Sequence, residues 1–137
     1  VVLMIGTNNT GHSGRRFAEI GDAVYESSAE QTAEGVKQIV ATLRQKLPET
    51  KILLLGIFPR GETSAHPMRQ TNETINGLIA ELDDGQHVHF LEIGKTFLQA
   101  DGTLSKDIMP DLLHLNETGY ELWAKAIEPK VKELLGE

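Results

Sequence analysis

The 137 residues are 39% hydrophobic and 24% charged, the balance of one globular domain with a sizeable core. A net charge of −7 argues against a nucleic-acid binder, which needs clustered Lys and Arg to neutralise phosphates. Cysteine is absent, which removes disulfides, thiolate catalysis and zinc–thiolate sites, and no apolar run approaches the ~20 residues of a membrane span.

Val1-Val-Leu-Met-Ile5 is a continuous apolar run ending at Gly6, the pattern of a strand covered on both faces. The chain opens inside this strand, with no leader and no initiating Met, so a further N-terminal segment is expected. Gly6–Gly14 reads as a polar, glycine-rich loop. In Arg15–Ser27, the spacing of Phe17, Ile20, Val24 and Tyr25 predicts a short helical lid.

A helix is expected from Ser27 or Ser28, where Ser27…Glu30 and Ser28…Gln31 each offer a capping box. Its buried stripe is Ala33, Val36, Ile39, Val40, Leu43 and Leu47, and Pro48 ends it. Lys51–Phe58 is a second buried strand, with Pro59–Thr63 as the loop at its C-terminal end. The next helix starts near Pro67, buries Ile75, Leu78, Ile79 and Leu82, and closes at Asp83-Asp-Gly85. Val88–Ile93 is a third strand. Gly94–Leu115 is a long irregular connection, of a length that commonly carries function. Asn116 is an N-cap for a last helix to about Leu135, with Tyr120, Trp123, Ile127 and Val131 at helical spacing. Pro129 should kink that helix or restart it.

Strand–helix three times over reads as α/β with a parallel sheet. Right-handed crossovers put all the strand C-terminal ends on one side, where ligands bind in such sheets. The loops there are Gly6–Gly14, Pro59–Thr63 and Gly94–Leu115. Two polar clusters, Thr7–Asn9 and Asp111–His114, therefore converge.

Asp111 and His114 lie three residues apart, just ahead of a helix start. A carboxylate there can orient the imidazole and stabilise the imidazolium, the Asp–His half of a nucleophilic triad; the bland alternative is a solvated loop histidine. Asn8 and Asn9 follow a buried strand and a glycine. They suit turn chemistry, and equally a carboxamide N–H aimed at an oxyanion. The Gly6–Gly14 loop lacks G-x-G-x-x-G spacing, which sets a phosphate-binding role aside. His87 and His89 share a strand face but lack a nearby third ligand, so exposed strand histidines are expected and no metal site is assigned. Arg60 can reach a substrate carbonyl or anion, or simply be a solvated loop arginine.

Val-Leu-Met-Ile-Gly-Thr-Asn-Asn9 resembles the strand and G-x-N-D block of the SGNH (GDSL-type) hydrolases, and Asp111-Leu-Leu-His-Leu-Asn116 resembles their D-x-x-H block. Leu55-Gly-Ile-Phe-Pro-Arg-Gly61 and Asp101-Gly-Thr-Leu-Ser105 are similar to the group within that family that includes platelet-activating-factor acetylhydrolase catalytic subunits. The resemblance implies a three-layer α/β/α sandwich with a parallel sheet of flavodoxin-like order, present as its C-terminal two-thirds. It implies hydrolysis of esters, commonly with a short acyl group, through an acyl-serine. Asn8 would be the oxyanion-hole carboxamide, His114 the base and then acid, and Asp111 its orienter. Gly6, Asn9 and Arg60 would line the substrate, a small-molecule, carbohydrate or lipid ester; no metal or organic cofactor is implied.

Two departures bear on this. Asn9 stands where the wider family often has Asp. The G-D-S block with the nucleophile is absent: Ser13, Ser27, Ser28, Ser64 and Ser105 all lie in other contexts. The nucleophilic Ser is therefore expected outside these residues, in an upstream segment or on a partner that also covers Val1–Ile5. The competing expectation is a non-catalytic binding module of the same fold.

Overall fold

The computed structural model describes residues 1–137. Three parallel strands, β1 (Val2–Leu3), β4 (Ile52–Leu55) and β5 (Val88–Leu91), form the central sheet, and a short antiparallel pair, β2 (Arg16–Phe17) and β3 (Ala23–Val24), stands apart from it. The sheet order is β1-β4-β5, with Val2 opposite Leu53 and Leu53 opposite His89. Four α-helices surround it: α1 (Thr7–His12), α2 (Ala29–Lys46), α3 (Pro67–Ala80) and α4 (Glu117–Leu135).

Strand alternation splits the apolar residues between two faces. Ile52, Leu54 and Val88 join Val36 and Val40 of α2 and Ile75 and Ile79 of α3 in one core. On the other side Phe58, Ile93, Phe97, Leu104 and Met109 pack against Leu122, Trp123 and Ile127 of α4. Phe58 lies edge-on to the Trp123 ring at 5.1 Å between centroids. The result is the expected helix–sheet–helix layering, with both faces of β4 buried.

Local signals set the starts of α2, α3 and α4. Ser28 and Gln31 form the reciprocal capping box of α2, Ser28 being chosen over Ser27. Pro67 opens α3 behind His66, whose Nδ1 accepts the Met68 N–H. Asn116 caps α4 by accepting the Gly119 N–H at 3.0 Å. After α3, Asp84 Oδ1 accepts three N–H groups, from Gln86, His87 and Val88, and feeds the chain into β5.

Several expectations are corrected. Arg15–Ser27 is not a helical lid: it is the β2–β3 hairpin with a single 3₁₀ turn at Ala18–Ile20, because Gly21 and Asp22 adopt positive φ and reverse the chain. Part of the Gly6–Gly14 loop is helical, as α1. The run Val1–Ile5 is partly exposed, Val2 at 47%, and lies at the sheet edge, as expected where no upstream segment or partner covers it. Leu47 leaves the α2 stripe for solvent, and Thr32 is buried instead. His89 is buried, not exposed, with Nε2 3.2 Å from the Gln86 carbonyl. Of the two effects expected of Pro129, the restart does not occur, since α4 is one helix with Pro129 inside it. No helix is long and apolar enough to cross a membrane.

Candidate active site

The Asp111–His114 turn is built by the aspartate itself. Asp111 Oδ1 accepts the N–H of Leu113 at 3.1 Å and of His114 at 2.7 Å, closing the chain on its own side chain. That leaves Oδ2 for the imidazole, whose Nδ1 lies 2.6 Å away. These bonds, the His114 N–H foremost and then the His114 ring, pull the Asp111 carboxyl down to about 2. The pair is open to solvent, with side-chain exposures of 76% for His114 and 54% for Asp111. The imidazole edge bearing Nε2 has no protein partner, and no serine of the chain bonds it.

The turn is anchored from beneath. Leu112 adopts φ +59°, a left-handed conformation uncommon for a side chain of its size. Its N–H donates to the Met109 carbonyl, its own carbonyl accepts the Gly61 N–H, and its side chain packs on the α4-side core beside Leu115. On the far side, Asn116 Nδ2 donates to the Asp107 carbonyl at 2.7 Å, so the same residue that caps α4 also holds the preceding loop.

The other cluster sits on α1. Gly6 makes the turn out of β1 at φ +126°, where a Cβ would strike the Ile57 side chain; it is buried and serves the bend. Asn8 is exposed, without a side-chain hydrogen bond, on the wall of an open cleft of about 370 Å³ that Phe17, Ile20 and Tyr25 of the hairpin region also line. Asn9 does not point free: its Nδ2 donates to the Tyr25 hydroxyl at 2.7 Å and ties the hairpin to α1. Arg60 reaches α1 as well, Nη1 donating to the Thr7 carbonyl at 3.0 Å. Burial lowers the Arg60 pKa and Arg15 adds to this, while the nearby Asp111 carboxylate opposes it. Arg60 thus lies between the two clusters; no hydrogen bond joins Asn8 to Asp111 or His114 directly.

A polar seam runs along α3, buried at Arg69 and Asn72 and half-buried at Asn76, and no motif announces it. Arg69, Asn72 and Asn76 fall on the helix stripe that continues into Ile75 and Ile79, a periodicity that was visible. Asn72 accepts the Thr10 hydroxyl at 2.9 Å and donates to the Phe58 carbonyl at 3.2 Å, joining α1 to the segment that follows β4. Asn76 grips both the N–H and the carbonyl of Ile57, and donates to Glu92. Arg69, fully buried, donates to the carbonyls of Gly61, Glu62 and Gly102; burial lowers its pKa, with Glu73 acting against that. A second cleft of about 260 Å³ lies along this seam, lined by Asn72, Asn76, Glu92 and Lys95. No group of three or more His, Asp or Glu side chains is placed to hold a metal ion.

The model of the GDSL-like lipase/acylhydrolase family matches residues 1–122. Platelet-activating factor acetylhydrolase IB subunit alpha1 of Homo sapiens is 33% identical over 138 residues, a match that covers 100% of this chain and 53% of that protein. The alpha2 subunit of Rattus norvegicus is also 33% identical, with the same coverage. The chain thus spans about half the length of the curated relatives it matches. Among solved structures, a Streptococcus pneumoniae protein described as a platelet activating factor superposes with TM-score 0.70 at 24% identity, covering 94% of this chain and 57% of that one. An acetyl-xylooligosaccharide esterase from Geobacillus gives TM-score 0.71 at 17% identity, covering 93% and 56%. Both share the fold.

Proposed function

The chain belongs to the GDSL-like lipase/acylhydrolase family, and on that premise we propose that it carries the acid–base and oxyanion parts of a serine esterase. The observation that carries this reading is the 2.6 Å contact between His114 Nδ1 and Asp111 Oδ2, with the other carboxylate oxygen fixed by backbone N–H groups. A carboxylate facing Nδ1 keeps the proton there and leaves Nε2 as the base. Nε2 takes the proton of a serine hydroxyl as its oxygen attacks the ester carbonyl. The Asn8 carboxamide, exposed and free of protein partners, donates to the oxyanion. The imidazolium then protonates the departing alcohol, and water releases the acyl group by the same steps in reverse order. The serine comes from a segment outside these 137 residues, a reading supported by the chain's matching only about half of its curated relatives. The acetylhydrolase name of those relatives favours a short acyl group.

The test is a serine-directed fluorophosphonate probe on the full-length protein, with His114→Ala beside the wild type. Labelling and ester turnover in the wild type, both lost in the variant, are expected. A well-folded protein that neither labels nor turns over is a binding module of the same fold; equal turnover by His114→Ala overturns the assignment of the base.

A further inference from the structure

Residues 60–62 touch both halves of the candidate site. The Arg60 guanidinium donates to the Thr7 carbonyl and lies against Gly11, where a Cβ would collide with it. Its neighbour Gly61 donates its N–H to the Leu112 carbonyl at 3.2 Å, inside the Asp111–His114 turn. Gly61 itself is buried at φ +78°, packed under the His66 ring, and its carbonyl is held by the buried Arg69, which also takes the Glu62 carbonyl. One side of this three-residue segment is therefore anchored in the α3 seam, while the other reaches α1 through a side chain and the histidine turn through the backbone. The Arg60 head is planar with several donors, and its flat face explains why position 11 carries no side chain; a lysine ammonium cannot span the same contacts.

We infer that Arg60 is a positioning residue, the side-chain arm of a tie bar that sets Asn8 on α1 at a fixed distance from the Asp111–His114 turn, and not a substrate contact. The catalytic consequence rests on the hydrolase reading above; the mechanical one does not.

Full-length Arg60→Lys and Arg60→Gln are read in two ways. Amide hydrogen exchange at Thr7–Gly11 is expected to rise about tenfold or more, with that of α2 unchanged. The kcat for ester hydrolysis is expected to fall on the order of tenfold to a hundredfold at nearly constant KM, since misplacing a catalytic group by an ångström has that effect. Gly11→Ala, which keeps Arg60 but displaces its guanidinium, should reproduce both changes. A raised KM with wild-type kcat would make Arg60 a substrate contact and overturn the inference. Unchanged exchange in the Arg60 variants overturns it whatever the turnover. If the wild type shows no turnover, the hydrolase reading falls, and exchange alone decides the tie bar.

Discussion

Asp111→Asn isolates the chemistry of the carboxylate from its architecture. Asp111 Oδ1 is committed to two backbone donors, Leu113 and His114, so an Asn side chain will keep its carbonyl oxygen there. Its NH₂ group then takes the place of Oδ2, 2.6 Å from His114 Nδ1. A donor facing Nδ1 forces that nitrogen to accept, and the ring proton moves to Nε2. The base is then blocked at the atom where it acts, although every heavy atom stays close to its place. A tautomer reversal of this kind costs on the order of 10⁴ in kcat, or about 5 kcal/mol of transition-state stabilisation. Stability should hardly change, because the side chain is exposed and the turn bonds survive; surface substitutions usually fall within about 0.5 kcal/mol. The assay is steady-state hydrolysis of a chromogenic acetyl ester by the full-length protein, with a thermal melt on the same sample. A kcat within about threefold of wild type, at an unchanged melting temperature, would refute the role assigned to Asp111.

Two further outcomes concern the scaffold. Asn72→Ala strands the Thr10 hydroxyl and the Phe58 carbonyl in a buried seam, and should destabilise the fold by about 1–3 kcal/mol in urea unfolding; a loss below about 0.5 kcal/mol would mean that the seam is hydrated rather than closed. Asp84 is held down to about 2 by its three backbone donors, Val88 foremost. Its folded pKa lies below the unfolded value of about 3.9, so its contribution is complete above that value and is lost as pH falls through about 2. The melting temperature of Asp84→Asn should therefore decline less steeply than wild type between about pH 5 and pH 2, and parallel slopes would show that the Asp84 carboxylate is not the linked group.

How far the sequence could be read depended on whether a feature was local. Asn116, Ser28 with Gln31, and Pro67 act within one helical turn, and each stands where capping rules put it. The Asp111–His114 pairing was legible because both partners lie in one turn. The parallel sheet followed from strand–helix alternation, whereas its strand order came only with the family resemblance. The short helix α1 was not legible: Thr-Asn-Asn-Thr-Gly-His has poor helix formers and no side-chain cap, and it is held from outside, by Asn72 on Thr10 and by Arg60 on Thr7. Phe17, Ile20, Val24 and Tyr25 satisfy a helical period by coincidence, while the hairpin they form is set by the positive-φ reversal at Gly21-Asp22. Arg69 and Asn72 belong to residue types that are mostly exposed, so only their register with Ile75 and Ile79 could have announced their burial.

The two-faced core divides the candidate site as well as the sheet. Asn8 rides on α1, which is moored to α3 on one face. His114 rides on a turn whose leucines are rooted beneath α4 on the other. A local opening that lifted α4 away would take the imidazole with it and leave the carboxamide standing. Heating can therefore silence such a site before most of the backbone structure is lost, and activity and circular dichroism would part company on the way up.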